Sequence, residues 1–396
     1  MNILYYSPNP EQDMADDTGY GRHQREMISA LRGLGHEVDV INITSKAIST
    51  TEINESQDYR SSLKQIIPVI IWSTLRDVKR ILIDRFRSTP VLEEALNKKE
   101  FDVIYERSNY LLISGLRVAK RRNIPLVLEV NAPCVVERKA FEGNSWLAGV
   151  AKNRESRKYR YASRIFPVTS ILGSYLSEKY KIPESKVRFI PNAINDSEII
   201  THANESLQSL KSWCSDSLVF GFMGSLLAYH GVEKLIEAFI KLAHNYPNIK
   251  LLIVGDGEVL TMLKEIASHS RFAERIRFTG QVSKKEVYSY VSLMDVGVSP
   301  DHSWYGSPIK IFEYAALGAV VLAPDSESIR DIFNHLEDSW LFNSTDELEF
   351  GMKELITDSN VRMQLSDKGK AKVLTFHTWR ANAEKVIENL NQIIES

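Results

Sequence analysis

The sequence is poor in cysteine and has no long apolar run. Its two cysteines, Cys134 and Cys214, stand far apart and form neither a CxxC pair nor a Cys/His cluster. A disulfide framework and a structural zinc site are therefore not expected, and a reducing, cytoplasmic compartment fits. No stretch approaches the ~18 apolar residues of a membrane span. The first ten residues lack the basic and apolar regions of a signal peptide, so none is expected.

Two ligand-binding motifs are also missing. No G-x-G-x-x-G follows the first predicted strand of either half, which argues against a dinucleotide-dependent oxidoreductase. No D-x-D motif stands at a predicted strand end, where paired carboxylates would hold a divalent ion. We therefore predict that the protein needs no metal ion and no resident cofactor.

The net charge is close to zero, but the two halves of the chain differ in sign. Residues 1–190 hold 30 Lys and Arg against 23 Asp and Glu, whereas residues 191–396 hold 19 against 28. A basic half suits an anionic partner such as a membrane surface or a phosphorylated acceptor, although imbalances of this size are often only solvated surface. No nucleic-acid partner is expected, and the sequence assigns no oligomeric state.

The length predicts two domains, because 396 residues exceed one ordinary core. We place the first domain at residues 1–195 and the second at 196–378, with the polar stretch 196–216 as a linker. Short apolar stretches, glycine turns and amphipathic segments alternate through both halves. This alternation is typical of doubly wound α/β domains.

The first domain opens with a predicted βαβ unit. The apolar stretch NILYYS is typical of a buried strand, residues 21–33 of a helix, and EVDVINI of a second strand. The glycine turn before the helix, which includes Gly21, falls at a strand's carboxyl end, where open α/β sheets bind ligands. Arg22 and His23 beside it either face that ligand or are ordinary polar residues of a helix start.

Polar residues also follow three later strands of the first domain. The strand PLVLEV carries Glu129 and leads directly into Asn131, and these two are our catalytic candidates together with Lys310 of the second half. The stretch IFPVTS is predicted as a strand ending in Ser170, and a strand at residues 187–190 is followed by Asn192. Together with Arg22 and His23, Ser170 and Asn192 are candidates for the acceptor side.

Residues 63–86 are predicted to form a basic amphipathic helix. Apolar residues alternate there with Arg76, Lys79, Arg80, Arg85 and Arg87. Such a helix either lies on an anionic membrane or packs on its own domain. Both interpretations stay open.

Three glycine turns in the second half follow three predicted strands. They read GS, GDGE and TGQV, and a histidine follows the first. Each alone is a weak signal, but their order places all three on one rim of a sheet, where a nucleotide binds. The donor-binding candidates taken from these turns are Gly224, Ser225, His230, Gly255, Gly257, Gly280 and Val282.

The stretch WYGSPIKIFEYAALG carries the strongest local signal. Ser307 suits a helix N-cap and Pro308 the first helical position, so the helix start at Ile309 would present free amides and a positive dipole to a phosphate. The positive charge of Lys310 is unfavourable near the positive end of the helix dipole, and an anion bound nearby would offset this. Glu313 lies one turn on, where a carboxylate can hold ribose hydroxyls. An ordinary surface loop and amphipathic helix fit this segment equally well.

Taken in order, the motifs resemble those of the retaining glycosyltransferases called family 4. They are GYG and GHEV near the start, PNA before the linker, then FMGSLLAYHG, LLIVGDGE, FTGQV and KIFEYAALGAVVLAP. The resemblance covers nearly the whole chain and implies the GT-B fold, two Rossmann-like doubly wound domains facing a central cleft. It implies that the second domain binds a nucleotide-sugar donor, that the first takes the acceptor, and that a final helix, here Trp379–Ile394, crosses back to the first.

The resemblance also implies roles for single residues. Glu313 matches the second acid of the family's E-x7-E motif, which contacts the donor ribose, but Tyr305 stands where the first acid is expected.

Other positions depart from the family as well. Ser225 and His230 occupy places where the family often has an Arg and a Lys on the diphosphate. Asn131 occupies the neighbourhood of a frequent histidine. We therefore expect Lys310 and the helix start to meet the diphosphate, with help from His230.

The implied reaction moves a sugar from a nucleotide-diphosphate sugar to a hydroxyl of a glycan or lipid-linked acceptor, with retention and without a metal. It fits the synthesis of a cell-surface polysaccharide or glycolipid in the cytoplasm, with peripheral contact to an anionic inner membrane face left open. Two alternatives remain: a nucleotide-sugar epimerase or hydrolase, and a non-catalytic GT-B subunit that binds sugar.

Overall fold

The computed structural model describes residues 1–16, 19–44, 68–195, 199, 205–283 and 286–395. The chain divides into two compact units, one comprising Met1–Pro191 and Asn382–Ser396 and the other Asn192–Ala381. Part of the region expected to link the domains, residues 196–198 and 200–204, lies outside the described residues.

The first unit is built on a five-stranded parallel sheet of order β2-β1-β3-β4-β5. Its strands are β1 (Asn2–Ser7), β2 (Glu37–Asn42), β3 (Val103–Arg107), β4 (Leu126–Val130) and β5 (Arg164–Pro167). Every residue of β3 and β4 is buried. Helices cover both faces of such a sheet, so its central strands are near-continuous apolar runs, which is why they stood out in the sequence.

Seven α-helices belong to the described part of this unit before residue 191. They are α1 (Gly19–Gly33), α2 (Val69–Ile83), α3 (Thr89–Lys98), α4 (Ser114–Arg122), α5 (Cys134–Glu142), α6 (Ala148–Tyr161) and α7 (Ser170–Tyr180). A π-helical turn, Asp84–Ser88, joins α2 to α3. The helix expected at 63–86 therefore ends earlier than predicted, and its first five positions lie outside the described residues.

The π turn has a structural task. The Asp84 carboxylate accepts hydrogen bonds from the backbone amides of Ile113 and Ser114, at 3.0 and 2.8 Å. These amides open α4 and have no acceptor within that helix. Asp84 thus caps α4 from another segment of the chain, which sequence spacing does not reveal.

The second unit is built on a six-stranded parallel sheet of order β11-β10-β9-β6-β7-β8. Its strands are β6 (Leu218–Met223), β7 (Ile249–Val254), β8 (Ile276–Phe278), β9 (Val296–Val298), β10 (Val320–Pro324) and β11 (Trp340–Phe342). Both units are thus doubly wound parallel α/β structures, and the predicted fold class is confirmed.

The helices of the second half follow the same alternation. They are α8 (Glu205–Cys214), α9 (Val232–Ala243), α10 (Leu260–Ser268), α11 (Val287–Val291), α12 (Ile309–Ala316), α13 (Glu327–Arg330), α14 (Thr345–Thr357), α15 (Ser359–Phe376) and α16 (Trp379–Ile394). In α9, Leu235, Phe239 and Leu242 follow helical spacing and are buried against the sheet core. Burying side chains of this size stabilises the unit by about 1.5–3 kcal/mol each.

Two expectations about the end of the first unit are wrong. Residues 187–190 do not form a regular strand: they make a single bridge, Val187 to Ile165, and the amides of Arg188 and Ile190 donate to the carbonyls of Ile165 and Pro167. β5 also ends at Pro167, and Ser170 begins α7 rather than closing a strand. The reason is local: the Thr169 hydroxyl accepts the Leu172 amide at 3.3 Å and caps the helix.

Three boundaries elsewhere also differ. The supposed linker contains α8, whose Leu207 and Leu210 are buried at helical spacing despite its polar composition. The helix expected at 283–292 is reduced to α11, because Ser283 bonds the Glu286 carboxylate instead of an amide. Residues 284–285 lie outside the described part. Finally, α1 begins at the glycine turn itself.

Candidate functional site

The glycine turns of the second unit meet backbone to backbone. Gly224 and Gly255 follow β6 and β7 and have φ angles of +141° and +133°, in the region that favours glycine. A Cβ on Gly255 would lie 2.0 Å from the Gly224 carbonyl oxygen. The Gly255 amide in turn donates to the Gly280 carbonyl at 3.0 Å. The three predicted turns are therefore in direct contact, and glycine is needed at the central one.

The loop after β6 is held down by the second turn. The Leu226 amide donates to the Asp256 carbonyl at 2.8 Å, and a Cβ on Gly257 would lie 2.4 Å from the Leu226 carbonyl oxygen. Ser225 is exposed in this loop. Val282, beyond the third turn, is half-buried. The rim that the sequence predicted is thus a packed backbone surface.

His230 lies over the start of this rim. Its Nδ1 is 2.6 Å from the Ser225 carbonyl oxygen, and its ring packs 5.8 Å from that of Phe222. Burial, with a smaller effect from the Lys310 charge, lowers the pKa of His230 to about 4. The ring is neutral at pH 7, and its Nδ1 carries the hydrogen that the carbonyl requires. Nε2 is then an acceptor, which suits a sugar hydroxyl better than a phosphate oxygen.

Lys310 is a buried cation in the first turn of α12. Its Nζ lies 4.0 Å from the centroid of the Phe222 ring and has no hydrogen-bond partner among the described residues. A Cβ on Gly224 would lie 3.2 Å from Nζ, so the ammonium lies beside the first glycine turn. Burial lowers the pKa of Lys310 to about 7, against the opposing effect of Glu313. Buried cations are normally paired, and this one has no hydrogen-bond partner among the described residues.

Glu313 lies on the next turn of α12. Its side chain is buried, and it follows Lys310 by three positions, which places the two on one face of the helix. The spacing of cation and carboxylate that the sequence predicted is therefore present in the structure.

The start of α12 differs from its predicted form. The N-cap is Pro308, without a side-chain cap, and Ile309 is the first helical residue. Ser307 does not cap the helix: its hydroxyl accepts from the Asn192 amide at 3.2 Å, and its carbonyl accepts from the Asn192 side chain. Asn192, expected on the acceptor side, belongs to the second unit. The Ile311 amide donates to the Pro308 carbonyl at 3.3 Å, so Ile309 and Lys310 carry the amides that lack an acceptor within the helix.

His302, which follows β9, was not predicted from the sequence. Its Nε2 lies 3.0 Å from the hydroxyls of both Ser326 and Ser328. Burial lowers the pKa of His302 to about 4. The signal was available, since an Asp-His pair follows a strand end next to β6, but its serine partners come from a distant loop. Tyr305, which replaces an expected acid, packs edge-on against Trp304 at 5.3 Å.

In the first unit, Glu129 is the centre of a buried cluster. Its Oε1 lies 2.5 Å from Nη1 of Arg107, 3.0 Å from Nε2 of His23 and 3.0 Å from Nδ2 of Asn131. Its Oε2 accepts from the Tyr5 hydroxyl at 3.1 Å. His23, predicted on the acceptor side, and Asn131, predicted to be catalytic, thus both contact Glu129, another catalytic candidate.

The environment keeps Glu129 ionised. Burial by itself raises the pKa of a carboxyl, but His23 and Arg107, with hydrogen bonds from His23 and Tyr5, outweigh it and lower the pKa to about 2. A carboxylate already occupied by four donors is poorly suited to transfer a proton. Glu129 thus contacts both His23 and Arg107, and its catalytic role stays a prediction.

Arg107 and Tyr5 were not predicted. The register of the sheet places Arg107 directly opposite Glu129, and Tyr5 lies on the neighbouring strand β1. Arg at the end of an apolar strand was the available signal, but its partner depends on strand pairing, which the sequence leaves open.

Three further candidates lie outside both clusters as described. Gly21 is in the first turn of α1, where a Cβ would lie 2.4 Å from the Asp16 carbonyl oxygen, so close packing alone accounts for glycine there. Arg22 beside it is half-buried, and Ser170 is exposed at the start of α7.

Within the described ranges, no helix is both long and apolar enough to cross a membrane. Over those same residues, no group of three His, Cys, Asp or Glu is arranged to hold a metal ion. Neither finding tests the metal requirement, which stays a prediction.

Two family models match the chain one after the other. The model described as Glycosyltransferase Family 4 matches residues 18–198, and that described as Glycosyl transferases group 1 matches residues 211–372. The matches cover most of the chain and both structural units. The chain therefore belongs to the family-4 glycosyltransferases with the GT-B fold, as the motifs implied.

The chain is also similar to individual proteins over part of its length. An uncharacterized glycosyltransferase of Methanocaldococcus jannaschii is 26% identical over 43% of this chain and 41% of that protein. Alpha-monoglucosyldiacylglycerol synthase of Acholeplasma laidlawii is 24% identical over 67% of each. The chain spans 41% to 55% of the length of three such relatives.

The fold comparison extends over the whole chain. The crystal structure of Anabaena HepE in complex with UDP covers 99% of this chain and 100% of its own, with a TM-score of 0.73 and 14% sequence identity. At that identity the likeness establishes the fold.

The Glu129 cluster predicts a stability difference. Glu129→Gln removes the charge that pairs with His23 and Arg107, and we expect unfolding of the first unit to cost about 3 kcal/mol less at pH 7. The folded pKa lies below the unfolded one, so the stabilisation is complete above pH ~5 and is lost as pH falls towards ~2. Urea unfolding at several pH values measures this.

The matched control is Glu178→Gln on the exposed side of α7, which should leave stability unchanged. Equal stability of Glu129→Gln and wild type at pH 7 would show that the cluster does not hold an ionised carboxylate.

Proposed function

We propose that the protein is a glycosyltransferase that moves a sugar from a nucleotide-diphosphate sugar to a hydroxyl of a glycan or lipid-linked acceptor, with retention of the anomeric configuration. The observation that carries this proposal is the buried Lys310 ammonium, which has no hydrogen-bond partner among the described residues and lies beside a glycine turn. Family membership supports a transferase over an epimerase, a hydrolase or a non-catalytic subunit.

Three parts of the donor, the diphosphate, the ribose and the sugar, each have a matching group in the site. The diphosphate meets Lys310 and the first amides of α12, which also carry the positive end of the helix dipole. The ribose hydroxyls meet Glu313, one turn further on. Neutral His230, with Nε2 as an acceptor, suits a hydroxyl of the sugar. The backbone rim of Gly224, Gly255 and Gly280 supports the approach of the nucleotide, because no side chain projects from it.

The chemistry asked of these groups is charge separation. Breaking the bond between the sugar and the diphosphate leaves negative charge on the phosphate and positive charge on the sugar ring. Fixed donors aimed at the departing phosphate stabilise that state without reorganising, an effect worth about 3–4 kcal/mol per well-placed donor. We place this reaction in the cytoplasm, in the synthesis of a cell-surface polysaccharide or glycolipid.

A screen of nucleoside diphosphates and nucleotide sugars by thermal shift tests the donor class. A bound donor at about 100 times its Kd should raise the melting temperature of wild type by roughly 5–10 °C. Glu313→Ala should weaken nucleotide binding about 10- to 100-fold, because the ribose hydroxyls lose a charged acceptor. Glu327→Ala, on the nearby α13, is the control and should bind normally. No shift with any nucleotide, or full affinity in Glu313→Ala, would contradict the assignment.

The site also predicts how donor affinity depends on pH. Lys310 has a pKa of about 7 in the free protein, and an anion binds its protonated form more tightly and so raises that pKa. Affinity for UDP-glucose should therefore be highest below pH 7 and fall up to about tenfold per unit above it. His230 and His302, with pKa values near 4, stay neutral through this range. Isothermal titration from pH 6 to pH 9 measures the slope.

The Lys310→Met variant should bind UDP-glucose weakly, and its affinity should no longer fall as the pH rises above ~7. Lys234→Met is the matched control, because Lys234 is ion-paired with Asp301 at 2.7 Å, and it should keep the slope. An unchanged slope in Lys310→Met would assign the titration to another group.

We further propose that transfer needs no divalent ion, since Lys310 and the helix dipole supply the positive charge that a metal would. Initial rates of nucleoside diphosphate release should then be equal in excess EDTA and in excess Mg²⁺. A rate lost in EDTA and restored by Mg²⁺ would refute metal independence while leaving the transferase assignment intact.

A further inference from the structure

The segment formed by α2 and the π turn buries polar residues and exposes apolar ones. Its inward residues are polar and recur at helical spacing: Ser73, Asp77, Arg80, Asp84 and Ser88, all buried. Its outward residues are apolar at the same spacing: Leu75, Val78, Leu82 and Phe86, with exposed fractions of 54%, 40%, 50% and 73%. A helix on the surface of a globular unit normally has the opposite arrangement.

The polar face is fixed inward by paired charges. Asp77 accepts from Arg138 at 3.0 Å and from the Tyr110 hydroxyl at 3.1 Å. Arg80 donates to Glu142 at 2.9 Å, and the Ser73 hydroxyl donates to the Glu142 carbonyl at 2.6 Å. Turning the helix over would leave these buried charges unpaired, at a cost of several kcal/mol each. The apolar stripe is therefore held outward by the fold.

The stripe continues onto the connection between α5 and α6. The Trp146 amide donates to the Thr74 hydroxyl at 3.2 Å, and Trp146 is 68% exposed. Val69, at the start of α2, lies close to Gly143 and is 65% exposed. We call the set Leu75, Val78, Leu82, Phe86 and Trp146 the outer stripe. Exposed apolar side chains grouped in this way mark a contact with a partner or a lipid surface.

The charges along the outer stripe have one sign. Between residues 69 and 88 the exposed charged side chains are Arg76, Lys79 and Arg85, and both acids of that segment are buried. Lysine is depleted in the apolar centres of protein interfaces, whereas a basic rim around an apolar stripe is what an anionic bilayer surface attracts. Tryptophan and phenylalanine also favour the depth of the lipid headgroups.

We propose that the outer stripe docks the first unit on the surface of an anionic bilayer, with Phe86, Leu82 and Trp146 inserted among the headgroups and Lys79 and Arg85 on the lipid phosphates. The segment lies on the interface without spanning it. The outer stripe belongs to the first unit and the candidate donor site to the second, so the docking proposal does not depend on the donor chemistry.

Flotation with lipid vesicles tests the docking. Wild type should float with vesicles that contain phosphatidylglycerol and much less with phosphatidylcholine alone. The Leu82→Ser/Phe86→Ser variant should bind anionic vesicles at least about tenfold more weakly. Phe376→Ser, which changes a side chain 59% exposed in the second unit, is the matched control and should float as wild type does.

Charge provides a second arm. Lys79→Gln/Arg85→Gln should weaken binding to anionic vesicles by about fivefold per charge, and binding of wild type should fall as salt rises from about 0.05 to about 0.5 M. Lys353→Gln/Lys368→Gln, on exposed positions of α14 and α15, is the control.

Three outcomes would overturn the proposal: no flotation of wild type, flotation of Leu82→Ser/Phe86→Ser equal to wild type, or a wild-type oligomer in light scattering that this variant converts to monomer. The last would make the stripe an interface between copies. Thermal shift with nucleotide sugars is measured on every variant and should not change, so a failed docking test leaves the donor assignment standing and the reverse also holds.

Discussion

The approach of Gly255 to the carbonyl oxygen of Gly224 is the contact on which the candidate donor site depends. The backbones that follow β6 and β7 are in direct contact there. A Cβ at position 255 would lie 2.0 Å from the Gly224 carbonyl oxygen, so only glycine fits. The same packing brings Gly224 against Lys310 and puts the ammonium over Phe222. A cation in that position has lost its water, and the described residues give its Nζ no hydrogen-bond partner. An anion that enters the site supplies that partner, which is a physical reason for a diphosphate to bind there.

The two units bury charge in opposite ways. Glu129 is surrounded by donors, so its charged form is stabilised and its pKa falls to about 2. Lys310 is desolvated without hydrogen-bond compensation, and its pKa falls to about 7. A satisfied charge rigidifies its surroundings, whereas an unsatisfied one favours a ligand. This contrast separates a well-paired carboxylate in the first unit from an ammonium in the second that has no hydrogen-bond partner among the described residues.

The outer stripe follows from the same principle. Asp77 and Asp84 are buried because hydrogen-bond donors surround them: Arg138 and Tyr110 donate to Asp77, and the first amides of α4 donate to Asp84. Since the polar face of α2 is buried, the apolar residues between those positions lie on the exposed side of the helix. The sequence showed a basic amphipathic helix and left its orientation open. Partners some 30 to 60 positions away determine which face is turned out.

The parallel α/β architecture, the three glycine turns and the spacing of Lys310 and Glu313 were all predictable from the sequence. These are local: an apolar run, a turn that needs glycine and one helical turn are all set within a few residues. Three features became visible only in the folded chain: Ser307 bonds Asn192 instead of capping α12, Arg107 and Tyr5 complete the Glu129 cluster, and two serines hold His302. Each of these depends on strand register or on a loop from elsewhere in the chain, and local propensity carries no information about which distant group arrives.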